Sequence, residues 1–280
     1  MLCFLRYVST LRPNNNNLNL TGKNSMKTIS TLLTAAVLSA GLLIATSHAN
    51  ATLIDQGATV YDDDLGISWL KNANLAASNT FNVGGINANG TMNWNTAQSW
   101  IGAMNTANYL GYNDWRLPTT GPVNGTAMNY IISYNGSTDY GYNASEQGTA
   151  YAGSTGSEMA HLFYNSLDNK GYCDPVLSTA GSCSGPQTGW GLTNTGPFSN
   201  VQSYYYWSGT EYAPSPDVAS WDFNFNYGFQ NRNDKISSSM YALAVRPGQV
   251  SAVPEPGSAL LVGIGLLGLL GVARRRLALR

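Results

Sequence analysis

Two apolar runs, one near each end, frame this chain and decide how much of it is left to build a globular core. Near the start, Met26 opens MKTISTLLTAAVLSAGLLIATSHANA, with Lys27 as a positive head, an apolar stretch from Leu32 to Ala45, and small residues around Ala49 and Ala51. That order is the layout of a secretory signal peptide over 26–51, too short in its apolar part for a comfortable membrane span. Signal peptidase is the partner it implies, cutting after Ala49 or Ala51. Residues 1–25, with the tract Asn14–Asn17, add nothing such a signal needs; they read as a non-native or unstructured extension, and the start is either Met1 or Met26.

The second run lies in VPEPGSALLVGIGLLGLLGVARRRLALR, residues 253–280. Its apolar residues lie on all sides of a helix and Gly recurs at 263, 265, 268 and 271, which argues against a core helix. A run of about 16–17 residues makes about 25 Å of helix, at the short edge of what a bilayer needs. The chain therefore divides into a linker at 249–257, a transmembrane helix at 258–273 and a basic cytoplasmic tail at 274–280. By the positive-inside rule Arg274, Arg275 and Arg276 stay in the cytoplasm and leave the preceding domain outside.

What remains, residues 52–248, is enough for one core. It carries all seven tryptophans and is broken by frequent Gly and Asn. Between Thr52 and Val253 fourteen acidic residues face six basic ones, a formal charge of −8. An acidic surface without a basic stripe repels phosphate backbones, so nucleic acid is excluded as a partner. Cys173 and Cys183 are the cysteines of the exported part, and in an oxidising compartment such a pair suggests a disulfide around the turn-rich DPVLSTAGS.

Two stretches read as helices. Trp94, Ala97, Ile101 and Met104 recur at helical spacing, with Thr91 or Asn93 to cap the start and Gly111 to end it. Thr155 and Glu158 form a capping box ahead of the face Met159, Leu162, Phe163 and Leu167, with Gly171 past the end. In WDFNFNYGFQNRNDK, Trp221, Phe223, Phe225 and Tyr227 alternate with Asp222, Asn224 and Asn226, which predicts a strand with one aromatic face. Tyr241–Val245 reads as a last strand ended by Pro247. Two helices among short strands and long loops predict an α+β fold.

Four segments in order, LGISWLKNANLA (65–76), MNWNTAQSWIGAMN (92–105), GYNDWRLPT (111–119) and YYWSGTEY (205–212), closed by YALAVRPG (241–248), resemble the bacterial Lcl C-terminal domain family. The resemblance covers nearly all of 52–248 and implies a compact, loop-rich unit similar to C-type-lectin-like and formylglycine-generating-enzyme-like folds, with short antiparallel strands beside two helices. Its motif residues here are Trp69, Trp94, Asp114, Trp115, Arg116, Pro118, Trp207 and Arg246. Physically they read as scaffold: Trp115 supplies buried area, Arg116 can stack on a ring or fork onto a carboxylate, and Pro118 fixes the departing chain. The end of the chain resembles a PEP-CTERM sorting signal, carried by Pro254, Glu255, Pro256 and Arg274–Arg276. That resemblance implies a Gram-negative exporter of extracellular polysaccharide, a temporary inner-membrane tether, and processing by an exosortase before arrival at the cell surface or outside the cell.

Catalytic sets are scarce. His161 is the one histidine after the signal peptide, so a zinc site cannot be assembled from histidines, a serine triad would have to recruit His161 from the middle of a helix, and Glu158 with His161 is a lone E-x-x-H pair. Asp222-x-Asn224-x-Asn226-x-Gly228 has calcium-loop spacing, but Gly228 is displaced and position twelve is Asn233 rather than Glu. Asp62, Asp63 and Asp64 could take calcium, against the plainer reading of a hairpin turn. No other cofactor is expected. Tyr204, Tyr205, Tyr206, Trp207 and Tyr212, with Asn and Ser nearby, are the candidate surface for stacking sugar rings, although alternate residues of YYYW must face opposite sides of a strand. The expectation is a non-catalytic envelope or matrix protein that binds polysaccharide. Its rivals are a carboxylate glycosidase, a cysteine-dependent oxidase of the formylglycine-generating kind, and a purely structural matrix component.

Overall fold

A computed structural model describes residues 52–248. The extension 1–25, the signal peptide 26–51, the linker 249–257, the apolar segment 258–273 and the tail 274–280 lie outside the described residues. Among the described residues no helix is long and apolar enough to cross a membrane.

Three strands open the domain as a meander: β1 (Leu53–Asp55), β2 (Thr59–Asp62) and β3 (Ile67–Leu70). The turn between β2 and β3 is built by Asp62, whose Oδ1 accepts the Leu65 N–H at 3.3 Å, and by Gly66 at φ 63, where a glycine is favoured. Every residue of β2 and β3 is buried; both are inner strands, β2 between β1 and β3, and β3 between β2 and β9 (Val245–Pro247), the last strand of the domain. Trp69 opposite Val245 and Ser68 opposite Arg246 tie the two ends of the described chain into one antiparallel sheet.

The first helix, α1 (Trp94–Thr106), starts where the sequence predicts it: the Asn93 side chain accepts the Thr96 N–H at 2.9 Å. Its buried face is Ala97, Trp100, Ile101 and Met104. It stops short of Gly111, since Asn108 turns the chain at φ 49. The second helix, α2 (Glu158–His161), is a single α turn that runs into a π turn over Leu162–Ser166. Met159, Leu162, Phe163 and Leu167 are all buried, as their spacing predicts, but the capping box is not made. Ser157 holds the N-cap without a side-chain bond to the helix, and Glu158 turns away to Arg116, because a charge-assisted fork outcompetes a single capping bond. The chain reverses at Asp168, φ 53, rather than at Gly171.

The larger sheet has the order β4 (Ile132–Ser133), β5 (Tyr140–Tyr142), β8 (Phe229–Asp234), β7 (Ala219–Asn224) and β6 (Tyr205–Glu211). Its pairs are antiparallel except β4 with β5, which run parallel. The predicted alternation holds for Trp221, Phe223 and Phe225, all buried, but Asp222 and Asn224 on the opposite face are buried as well. Tyr227 leaves the strand for the β7–β8 turn. The strand expected at Tyr241–Val245 is shifted: Met240 and Tyr241 make single bridges to Met92 and Tyr206, and the regular strand begins at Val245.

Two apolar clusters result. One gathers Phe163, Tyr206, Phe223 and Phe225 between α2 and the larger sheet; the other gathers Trp100, Met104, Trp115 and Trp207 around α1. The architecture is α+β.

Candidate functional site

The motif GYNDWRLPT forms a seam that joins both sheets and both helices. Trp115 is buried, its indole N–H donates to Tyr109 O at 3.1 Å, and its backbone is clamped on both sides by the Asn105 amide at 2.8 Å. Arg116 forks onto Glu158 with N–O distances of 2.7 and 2.6 Å, and the Thr119 N–H adds a third bond to the same carboxylate at 2.7 Å. The carbonyl of Pro118 accepts from Gly209 N and Ser208 Oγ at 2.7 and 2.9 Å, docking the seam on β6. Asp114 receives a second fork, from Arg246 at 2.8 and 3.1 Å, while that guanidinium lies 3.7 Å above the Tyr112 ring. The remaining motif tryptophans are tied by their indole N–H: Trp69 to Asp62 at 3.3 Å, Trp94 to Ser208 O at 2.8 Å, and Trp207 to Met92 O at 2.9 Å.

Other sequence candidates are dispersed. Of the five rings proposed for stacking, Tyr206 and Trp207 have no exposed surface and Tyr212 is buried; Tyr205 is half-buried and Tyr204 is open at 48%. Both faces of β6 are covered, one by α1 and the other by α2 and Tyr241, so YYYW offers no continuous patch. Asp62 is buried beneath Trp69 and Ser166, Asp63 accepts the Thr52 N–H, and Asp64 lies 3.5 Å from His161 Nε2. Glu158 and His161 diverge, Glu158 to Arg116 and His161 Nδ1 to Ser154 O at 3.1 Å. The Asp222–Gly228 segment is a strand and its hairpin turn. Among the described residues no group of three His, Cys, Asp or Glu side chains is placed to hold a metal ion. Cys173 and Cys183 are joined in a disulfide with Cα atoms 5.3 Å apart.

Sequence reasoning missed a band of rings on the side of the disulfide. Tyr142 of β5 lies opposite Phe229 of β8 in register, with centroids 4.6 Å apart. Tyr134 stacks on Tyr142 at 5.7 Å and 18°, and Tyr172 continues from Tyr142 at 6.3 Å. Tyr172 meets Trp190 edge-on at 4.9 Å and Tyr227 at 5.8 Å, and Trp190 and Tyr227 stack nearly parallel at 5.4 Å and 8°. Five of these rings are half-buried and Tyr227 is exposed. They come from positions between 134 and 229, mostly loops, with no period that would mark them. Their one local signal is the flanking of the cysteine pair by Tyr172 and Trp190.

A second missed feature is Asp222. It is wholly buried on β7; Asn233 donates to its Oδ2 at 3.0 Å and its Oδ1 has no hydrogen-bond partner. Burial pushes its carboxyl up to about 8, against the opposite pull of Asn233 and Arg232.

No curated protein and no solved structure matches the chain. Residues 252–276 match the PEP-CTERM protein-sorting motif, which marks an exported protein sorted at the membrane and processed by an exosortase. Residues 58–246 match the Lcl C-terminal domain, over nearly the whole described region from β2 to β9 and well over half of the chain. The protein belongs to the Lcl C-terminal domain family.

Proposed function

We propose that this exported protein is a non-catalytic component of the cell envelope or extracellular matrix, and that its lectin-like domain holds polysaccharide. The observation that carries the reading is the band Tyr134, Tyr142, Phe229, Tyr172, Trp190 and Tyr227. A contiguous row of partly open rings on an exported domain offers faces on which a ligand can lie. Ring faces pack against the C–H faces of sugars, while tyrosine hydroxyls bond their hydroxyl groups. Tyr204 and Tyr205, the outward members of the YYYW segment, are a smaller second contact.

The disulfide supports the non-catalytic reading, because the oxidase alternative depends on free thiols and Cys173 and Cys183 are bonded to each other. In this scheme segment 258–273 tethers the domain to the inner membrane until processing at Pro254-Glu-Pro256 releases it. Screening the full chain on a glycan array, with and without calcium, tests the binding half: retention on at least one polysaccharide is expected, and a blank array removes it. Mass spectrometry of the native C-terminus tests the tether: a trimmed tail is expected in the parent strain and an intact one without exosortase, whereas an intact tail in both makes the anchor permanent.

A further inference from the structure

We infer that the cavity beside Glu146 receives one amine-bearing sugar unit, a hexosamine with a free amino group, at the edge of the aromatic band; this rests on the polysaccharide reading above. The cavity measures about 220 Å³ and is lined by Glu146, Asp168, Lys170, Asp174, Val176 and Gln187 among others. Drug-sized sites run to roughly 300–1,000 Å³, so this one suits a single small unit of a longer chain. No ring of the band lines it, but the backbone connects the two: Gly171, which donates to Glu146, precedes Tyr172, and Gln187 N donates to Tyr172 O at 3.0 Å.

The charge of the ligand follows from what surrounds Glu146. This side chain is only 5% exposed, yet it receives neutral donors alone: Gln187 Nε2 at 2.9 Å and Gly171 N at 3.3 Å. It takes part in none of the ion pairs among the described residues. The exposed Lys170 on the same cavity acts on it only at a distance, so a buried carboxylate here has no direct cationic partner, and an ammonium group entering the cavity supplies one. Burial pushes its carboxyl up to about 7, against the opposite pull of Gln187, Gly171 and the more distant Lys170. Asp168 and Asp174 add two further carboxylates against the exposed Lys170, which disfavours phosphate, sulfate or an acidic sugar. A bare divalent cation fits poorly, since no metal-holding group of side chains exists among the described residues.

The backbone is shaped to present this carboxyl. Asn143 and Ser145, just before Glu146, hold φ values of 64 and 75, a conformation that costs energy outside glycine and persists where the surroundings enforce it. Gly171 lacks a Cβ that would fall 2.3 Å from Asn143 Oδ1 and 3.0 Å from Glu146 Oε2, so these polar atoms converge only over a glycine. Asn143 Oδ1 is itself buried without a hydrogen-bond partner. The facing wall, Asp174 to Val176, lies inside the Cys173–Cys183 loop and is fixed by it.

The test titrates the full chain at neutral pH with a glucosamine tetramer, its N-acetylated counterpart, and a neutral glucan tetramer. The free-amine tetramer is expected to bind about tenfold tighter than the acetylated one, the size of one charge-assisted contact. Glu146→Gln should abolish that preference and leave the glucan unaffected. Should Glu146→Gln fail to fold, Asp168→Asn serves instead: the position is exposed, Asn tolerates its positive φ, and a smaller loss of preference is expected. Equal affinity for the two amino-sugar tetramers overturns the inference. If neither binds while the glucan does, the cavity is not a site and the band reading survives; if nothing binds, both fall.

Discussion

The seam of Asp114–Pro118 and the loops around the disulfide both hold carboxylates, and they compensate them in opposite ways. Glu158 meets a bidentate guanidinium and a backbone N–H, and Asp114 meets a second fork. Glu146 meets only an amide and a backbone N–H; outside both regions, Asp222 on β7 likewise leaves one oxygen without a partner. The rings divide similarly. Trp69, Trp115 and Trp207 are buried with their N–H groups satisfied inside the domain, whereas Trp190 and Tyr227 stack at the surface. A region whose polar groups are all internally paired is complete as scaffold. One with buried charge uncompensated and rings half-open is arranged for something from outside.

Arg116→Ala attacks the scaffold side of this contrast and should have the largest effect. It strands Glu158, whose side chain is 10% exposed, and a loss of about 3–5 kcal/mol of unfolding free energy is expected in urea titrations. A loss under about 1 kcal/mol would show that the seam is not what holds the domain together.

Mild alkalinity probes the other side. Glu146 and Asp222 are both raised on folding, from 4.5 to about 7 and from 3.8 to about 8. Groups whose folded pKa is raised contribute stability that is full below their unfolded values and is lost as pH climbs through the folded ones. The domain should therefore melt higher at pH 5.5 than at pH 8.5, by an amount on the order of 3 kcal/mol. Glu146→Gln with Asp222→Asn should flatten that slope; an unchanged slope would place its origin elsewhere.

Reducing Cys173–Cys183 opens a ten-residue separation, for which chain entropy gives about 2–3 kcal/mol. Because the bridge carries one wall of the Glu146 cavity, loss of amino-sugar preference should accompany it. Retention of that preference in the reduced protein would detach the cavity from the loop.

Much of the scaffold was legible in the sequence. The Asn93 cap and the spacing of Ala97, Ile101 and Met104 gave α1, and the alternation of Trp221, Phe223 and Phe225 gave β7. Local chemistry decides both. The capping box at Thr155 was displaced by a partner forty-two residues away in sequence, Arg116, which no local pattern reveals. For Asp222 the alternation marked only the face opposite the aromatics, and only the assembled sheet shows that this face is covered as well. The YYYW rings were overcounted as surface for the same reason. Tyr134, Tyr142, Tyr172 and Trp190 could not be grouped in advance, since loops and the disulfide bring them together and neither imposes a period.

The most direct measurement compares Trp190→Ala with Trp207→Ala in retention on an immobilised polysaccharide that the unaltered full chain binds, alongside their unfolding free energies. Trp190→Ala is expected to weaken retention about tenfold while costing under about 1 kcal/mol of stability, and Trp207→Ala to cost about 3–5 kcal/mol. Undiminished retention by a folded Trp190→Ala protein would contradict the assignment of the band as the binding surface.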